Sequence, residues 1–218
     1  VERYPPSAQQ AVAHANHATL LGTLSRFERA LSLSKASLEQ CKHLNDLGAE
    51  GIAQYNRGLI LLWASQYQEA IKYLERGIDL LKRTGNQLYR NNAIYQLALA
   101  HYRLGHLTTA VEIILELQAR GRAMGDAHAR RYPLHPLTMT APERVQLEDI
   151  QSELDRCEGD KTGEVLLLEA KGIWLLSRGR TREALDTLSR AAHAASIAAP
   201  PLTVPMSQVK ASTSRQWP

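Results

Sequence analysis

The sequence has little of several features that mark an enzyme, a membrane protein or a disulfide-stabilised domain. Its 218 residues include 2 Cys and 1 Phe, and the formal net charge is only +4. The longest apolar run, residues 59–64, is far shorter than the roughly 18 residues that a membrane-spanning helix needs. With 44% hydrophobic residues, we expect a core that needs no disulfides.

The two cysteines and the mild charge restrict the function further. Neither Cys41 nor Cys157 belongs to a Cys-x-x-Cys pair or has a histidine at metal-ligand spacing. Buried thiols in a reducing compartment are the simplest interpretation, so we expect a cytoplasmic protein. A charge of +4 is too small to predict nucleic-acid binding.

No catalytic signature is visible. The sequence has no phosphate-binding glycine loop, dinucleotide fingerprint or Gly-x-Ser-x-Gly elbow. His14 and His17 share one predicted helix face, but no third metal ligand lies near them in the sequence. We therefore expect no catalytic activity and no cofactor in this chain. Because it begins with Val1, we expect an excised domain or a processed product.

A repeat organises the chain. Ala30, Ala70 and Ala110 are evenly spaced at a stride of 40, each inside a similar segment such as Ser-Gln-Tyr-Gln-Glu-Ala-Ile. A fourth copy, around Ala184, follows after a longer gap. Apolar residues at helical spacing flank each copy, so the sequence predicts an all-α solenoid of antiparallel helix pairs.

The predicted repeat domain covers residues 8–197, after an extension (1–7) and before a proline-containing tail or linker (198–218). Gly48 predicts a break, and the prolines in 125–140 predict a loop that replaces the first helix of a degenerate, shorter unit. A capping box over residues 140–143 then predicts a new helix that ends near Cys157. The predicted units are 8–47, 48–86, 87–125, the degenerate 126–160, and 161–197.

The small and aromatic residues of these units resemble those of the tetratricopeptide repeat. Unit two shows Gly58, Ser65, Tyr67, Ala70 and Gly77 at the family's positions, and Gly172, Gly179, Ala184 and Ala191 repeat the pattern in the last unit. The long stride resembles the variety found in kinesin light chains, bacterial peptide-pheromone receptors and, most of all, signalling ATPases. The resemblance implies a right-handed superhelix whose concave groove binds a protein or peptide.

The family's groove positions can be transferred to this sequence. The chaperone-type carboxylate clamp is not in register, because Ala15 and Thr19 stand where it needs Lys and Asn. The resemblance implies an aromatic and aliphatic groove instead. Its expected residues are Tyr55, Leu59, Trp63, Asn92, Tyr95, Leu99, Tyr102, Arg103, Glu169 and Ile173.

Two further segments could contact a partner. A basic patch, which either binds an acidic group or is a solvated loop, is formed by Arg120, Arg122, Arg130, Arg131 and His135. The apolar stretch 202–206 and Trp217 suggest that the tail packs against the array, its own or a neighbour's.

We thus expect a protein- or peptide-binding scaffold within a larger bacterial signalling or regulatory protein. The alternatives are a peptide-pheromone receptor domain, an accessory domain of an enzyme outside this chain, and a structural oligomerisation spacer.

Overall fold

The computed structural model describes residues 7–198, so residues 1–6 and nearly all of the predicted tail lie outside the described residues. Within that range every regular element is helical, and the predicted all-α architecture is confirmed. The helices are α1 (Ala8–Thr23), α2 (Phe27–His43), α3 (Leu47–Trp63), α4 (Tyr67–Arg83), α5 (Gln87–Arg103), α6 (Leu107–Met124), α7 (Ala127–Arg131), α8 (Leu134–Thr140), α9 (Leu147–Asp155), α10 (Lys161–Ser177) and α11 (Thr181–Ala198).

The helix starts follow a regular period through the first half of the chain. From α2 to α7 the interval between successive starts is constant, and these starts are Phe27, Leu47, Tyr67, Gln87, Leu107 and Ala127. The turn before each of these helices contains one residue of positive φ, and these residues are Ser25, Asn45, Ser65, Gly85, Gly105 and Gly125. A left-handed residue ends a helix by satisfying its last carbonyl groups. In this part of the chain each repeat is therefore two equal half-units of one helix and one turn.

Side-chain caps distinguish the first helix of each unit from the second. A side-chain oxygen of the N-cap residue accepts a backbone N–H at the start of α1, α3, α5, α7 and α10. The helices α2, α4, α6 and α9 have no such bond. The capping residues are Ser7, Asp46, Asn86, Asp126 and Asp160. Their short polar side chains satisfy N–H groups that the helix leaves free.

Glycines allow the two helices of a unit to approach closely. A Cβ atom on Gly58 of α3 would lie 2.7 Å from Leu74 Cγ of α4, and one on Gly172 of α10 would lie 2.5 Å from Leu188 Cγ of α11. Both glycines thus accommodate a leucine from the second helix. The prediction of a break at Gly48 was wrong: this residue lies inside α3, which Asp46 caps and which begins at Leu47.

The prediction of a loop over residues 125–140 was also wrong, because α7 and α8 occupy it. Pro133 has a helical φ of −63° and forms the turn between them. Its carbonyl accepts the N–H of Leu137, the first bond of α8. Pro136 lies in the first turn of α8, where a missing N–H removes no helical bond. The two prolines divide a first helix instead of abolishing it.

The predicted capping box at residues 140–143 was wrong as well. The Thr140 hydroxyl donates to the Pro136 carbonyl at 2.8 Å inside α8. A short 3-10 turn, Pro142–Arg144, follows, and α9 begins only at Leu147. Helix α9 has 9 residues, compared with 17 in α4. The next first helix, α10, therefore begins earlier than a full repeat after α7 would place it.

The core is continuous across the units. One cluster joins α3, α4 and α5 around Leu59 and Leu74, and another joins α5 to α10 around Ile114, Leu137 and Leu167. Among the described residues, no helix is long and apolar enough to cross a membrane.

Candidate functional site

The contacts of helix α3 identify the side of a first helix that does not pack against the neighbouring helices and could contact a ligand. It packs on α4 through Gly58 and on α5 through Tyr55. On its α2 side, Arg57 donates to the Leu31 carbonyl at 2.9 Å. The side that points away from the second helices carries one residue per helical turn, and we call this row the inner stripe. In α3 the inner stripe is Ile52, Asn56, Leu59 and Trp63.

Two of the expected groove residues are core residues. The side chains of Tyr55 and Leu59 are only 8% and 7% exposed. The ring of Tyr55 lies edge-on to that of Tyr89, with centroids 5.7 Å apart. Burial raises the pKa of Tyr55 to about 12. These residues join unit two to unit three, so they shape the inner face without offering much surface.

Trp63 lies at the boundary between units one and two. A Cβ atom on Gly22 of α1 would lie 3.0 Å from Cε3 of the Trp63 ring, so the ring covers this glycine closely. The tryptophan is half-buried. It therefore combines a packing role with a partly accessible aromatic surface.

An amide pair connects the inner stripes of α1 and α3. Nδ2 of Asn56 donates to Oδ1 of Asn16 at 2.9 Å, and the two residues are 40 positions apart. Asn56 is 3% exposed, whereas Asn16 is exposed. Equal positions in successive units thus place polar side chains in a row along the inner face.

Helix α5 has the more open part of the inner face. Asn92, Leu99 and Tyr102 are half-buried, and Arg103 is exposed. An amide, an aliphatic group, a phenol and a guanidinium are therefore accessible on one helix.

The broken first helix of unit four adds two residues that the sequence analysis did not assign to the groove. The Tyr95 ring is edge-on to that of Tyr132, with centroids 6.3 Å apart. His128 stacks on Tyr132 at 3.7 Å. Burial, with smaller contributions from Tyr132 and Glu169, raises the pKa of Tyr95 to about 12. The prediction of a loop concealed this cluster, although the constant interval between helix starts, continued past α6, would have placed His128 in a helix.

His135 and Glu169 link α8 to α10. Nε2 of His135 lies 3.3 Å from Oε2 of Glu169. Burial lowers the pKa of His135, and the nearby carboxylate opposes part of that effect. Ile173, one turn beyond Glu169, is half-buried. The structure thus pairs one expected groove residue with one expected member of the basic patch.

The four arginines of the expected basic patch each have a carboxylate partner. The shortest nitrogen–oxygen distances are 2.8 Å for Arg120–Glu116, 3.4 Å for Arg122–Asp149, 2.9 Å for Arg130–Glu153 and 2.7 Å for Arg131–Asp160. Within each pair the carboxylate offsets the charge of its arginine, so the arginines do not form one open positive surface.

Arg131 is the centre of a network that closes the shortened unit. Its side chain is 6% exposed, and Nη2 donates to the Arg156 carbonyl at 3.0 Å. Its partner Asp160 also accepts the Gly163 N–H at 2.8 Å as the cap of α10. Burial acts to raise the pKa of Asp160, but the bonds from Gly163 and Arg131 outweigh it and lower the pKa overall.

Comparison with known proteins identifies the fold. No family model matches the sequence, and no curated protein matches it. A Podosopora anserina putative kinesin light chain with TPR-like repeats is 15% identical, with a TM-score of 0.65 over 89% of this chain and 99% of that one. Aspartyl phosphate phosphatase F of Bacillus subtilis is 20% identical, with a TM-score of 0.67 over 89% of this chain and 51% of that one. The expected tetratricopeptide-like solenoid is confirmed as the fold.

Proposed function

We propose that this tetratricopeptide-like array is a protein- or peptide-binding scaffold and that its ligand lies along the inner stripes of the first helices. The observation that carries the proposal is the open inner face of α5, where Asn92, Leu99, Tyr102 and Arg103 are half-buried or exposed. Apolar surface with a few placed polar groups is the usual composition of a peptide-binding groove.

The amide pair supports this proposal. Main-chain N–H and C=O groups of an extended peptide need both donors and acceptors, and an asparagine amide supplies both. Asn56 is only 3% exposed and donates to Oδ1 of Asn16, so it orients the exposed amide of Asn16 and does not itself face a ligand. A polypeptide that runs across units one and two would meet the exposed amide of Asn16.

The aromatic residues supply anchor points. Trp63, Tyr95 and Tyr102 are all half-buried, so each ring is held by the array and still has accessible surface. Tyrosine and tryptophan in such positions carry much of the binding energy at protein interfaces. We assign the anchoring role to these three residues, and the supporting role to the buried Tyr55 and Leu59.

A more specific proposal is that this scaffold is part of a larger bacterial signalling or regulatory protein. Its support is the similarity to the Bacillus subtilis phosphatase, a chain of which this one spans 51% at 20% identity. Reading the complete gene tests the point. A coding sequence that contains the solenoid alone contradicts it, and an adjoining signalling or catalytic domain supports it.

Native mass spectrometry of the chain purified from its own host tests the binding function. Two arginines make matched variants, because Arg103 and Arg83 are both exposed and both end a 17-residue helix. Arg103 is on an inner helix and Arg83 on an outer one. We expect wild type and Arg83→Glu to retain a bound polypeptide and Arg103→Glu to lose most of it. A wild-type chain with nothing bound, or equal retention by both variants, contradicts the proposal.

A further inference from the structure

Two histidines lie close together at the turn that joins α5 to α6. Nδ1 of His101 is 3.4 Å from Nδ1 of His106, and the ring centroids are 5.7 Å apart. The pair is separate from the inner stripes, because His101 occupies the register position of Leu61, a core residue that is 1% exposed. Neither histidine therefore has a part in the proposed binding function.

The backbone of this turn is fixed by a hydrogen bond that recurs along the array. The His106 N–H donates to the His101 carbonyl at 2.9 Å, and Gly105 between them has a φ of +80°. The same bond closes other turns, where the donor and acceptor residues are Arg26 and Leu21, Gln66 and Leu61, Asn86 and Leu81, Asp126 and Gly121, and Arg180 and Leu175. The fold thus holds residues 101 and 106 side by side, and of these turns the α5–α6 turn is the one with a histidine at both positions.

Packing does not explain the histidine at position 101. The equivalent residues in α1, α3 and α10 are Leu21, Leu61 and Leu175, which are 8%, 1% and 1% exposed, whereas His101 is half-buried. Burial, with a smaller contribution from His106, lowers the pKa of His101, and the carboxylate of Glu75 acts in the opposite direction. The His101 ring is therefore mainly neutral at pH 7, and the neutral ring is the form that binds metal ions.

The separation of the two nitrogen atoms matches that of two ligands of one metal ion. Imidazole nitrogens bind zinc at about 2.0–2.1 Å in a tetrahedral arrangement, which places two such nitrogens about 3.3–3.4 Å apart. His106 is exposed, so its ring can turn until the lone pairs of both Nδ1 atoms meet at one point. Glu75 on α4 is near enough to influence the pKa of His101, and its negative charge favours a cation there.

We propose that His101 and His106 bind a divalent transition-metal ion such as zinc through their Nδ1 atoms. Imidazole is a suitable ligand for zinc, copper and nickel. Within residues 7–198 no group of three or more metal-ligating side chains is present, so water molecules complete the coordination. His106 is the N-cap residue of α6, and the ion therefore links the last turn of α5 to the start of α6. Because the site is not on the inner stripes, it stands or falls independently of the proposed binding function.

Isothermal titration calorimetry of the full chain with zinc chloride tests the site. His101→Leu and His106→Gln introduce the residue types found at the equivalent α3–α4 turn, Leu61 and Gln66, where the same backbone bond forms. Both variants should therefore fold. We expect each substitution to weaken zinc binding by at least about tenfold, because losing a group that only supports a metal ligand already has an effect of this size.

The chain supplies a matched control in His14 and His17. Both are exposed, and both lie on α1. We expect His14→Gln/His17→Gln to retain the zinc affinity of wild type. In NMR spectra of the histidine rings, zinc should shift the signals of His101 and His106 and leave those of His14 and His17 unchanged.

Two results overturn the proposal. One is a wild-type chain that does not bind zinc, which would mean that the two rings share a hydrogen bond and nothing more. The other is zinc binding that His101→Leu and His106→Gln do not weaken, or that the control variant weakens as much, with circular dichroism showing that all the variants are folded.

Discussion

Asn56 donates a hydrogen bond of 2.9 Å to Asn16, and the two residues occupy the same position in successive units. Asn56 is buried, so its partner is not easily replaced by water. Asn56→Ala removes the bond and leaves a space in the inner face. We expect the free energy of unfolding to fall by about 1–2 kcal/mol in denaturant titrations.

A double-mutant cycle with Asn16→Ala identifies the cause. If the bond itself stabilises the array, the effects of the two substitutions are not additive, and the coupling is about 1 kcal/mol. Strictly additive effects would mean that the amides act separately.

Gly121 and Gly48 give different predictions for the same substitution. A Cβ on Gly121 would lie 2.6 Å from the backbone carbon of Ala129, which cannot move aside easily. We expect Gly121→Ala to destabilise the fold by about 1–3 kcal/mol.

At Gly48 the nearest atom to such a Cβ is Asp46 Oδ1 at 3.3 Å, and the residue lies inside α3. This oxygen also accepts the Ala49 N–H at 2.9 Å as the cap of α3, and Gly48 is only the second residue of the helix. The preference for alanine in a helix interior, about 0.5–1 kcal/mol, is offset by the contact with the cap. We therefore expect Gly48→Ala to change the free energy of unfolding by less than about 1 kcal/mol. Thermal unfolding of Gly121→Ala and Gly48→Ala tests both predictions. A Gly121→Ala protein as stable as wild type would refute the close approach of α6 and α7.

Asp160 predicts a dependence of stability on acid pH. Its pKa is lowered in the folded chain, so its ionised form stabilises the fold above about pH 4. This contribution is lost as the pH falls through the lowered folded-state pKa. Asp160→Asn retains a capping residue and removes the charge. We expect the variant to be less stable than wild type at pH 7 and the difference to shrink below about pH 4.

Asp149→Asn is the control, since it removes a half-exposed carboxylate paired with Arg122. Urea titrations at several pH values measure the free energy of unfolding of both variants. Only Asp160→Asn should show a pH-dependent difference from wild type. If the free energy of unfolding of wild type and Asp160→Asn differs by the same amount at every pH in this range, the network stabilises the fold through packing and neutral hydrogen bonds and not through the charge of Asp160.

The burial of His135 and its contact with Glu169 predict two opposing effects on the pKa of this histidine. Burial lowers its pKa and Glu169 partly restores it. We expect NMR titration to give a value below about 6.5 and Glu169→Gln to lower it further. Since the unfolded chain then binds a proton more readily, the stability contributed by neutral His135 is present above about pH 6.5 and is lost as the pH falls toward the folded-state value. An unchanged or higher pKa in Glu169→Gln would exclude an electrostatic effect of Glu169 on His135.

The repeat could be predicted because small residues are obligatory where helices cross. Ala30, Ala70, Ala110 and Ala184 are fully buried, and their spacing revealed both the stride and the shortened unit. The caps Asp46, Asn86, Asp126 and Asp160 carry the same information, because only the last of their three intervals is shorter than the full stride. They would have placed a helix start at Ala127 in spite of the prolines.

The details of the site could not be predicted from position alone. Tyr55 and Tyr102 both occupy groove positions by resemblance, but the fit of the next unit buries one and leaves the other half-exposed. Arg131 was predicted to be a loop cation, yet it pairs with Glu153 in α9 and with Asp160, the cap of α10. Both partners are distant in the sequence, so only the three-dimensional arrangement brings them together with Arg131.

The central claim is that a polypeptide occupies the inner stripes. The most direct test is hydrogen exchange of the chain with and without the polypeptide that it retains from its host. The account predicts slower exchange in α3, α5 and α10 upon binding, with α4 and α6 unchanged. Protection confined to α4, α6 and α11 would contradict it.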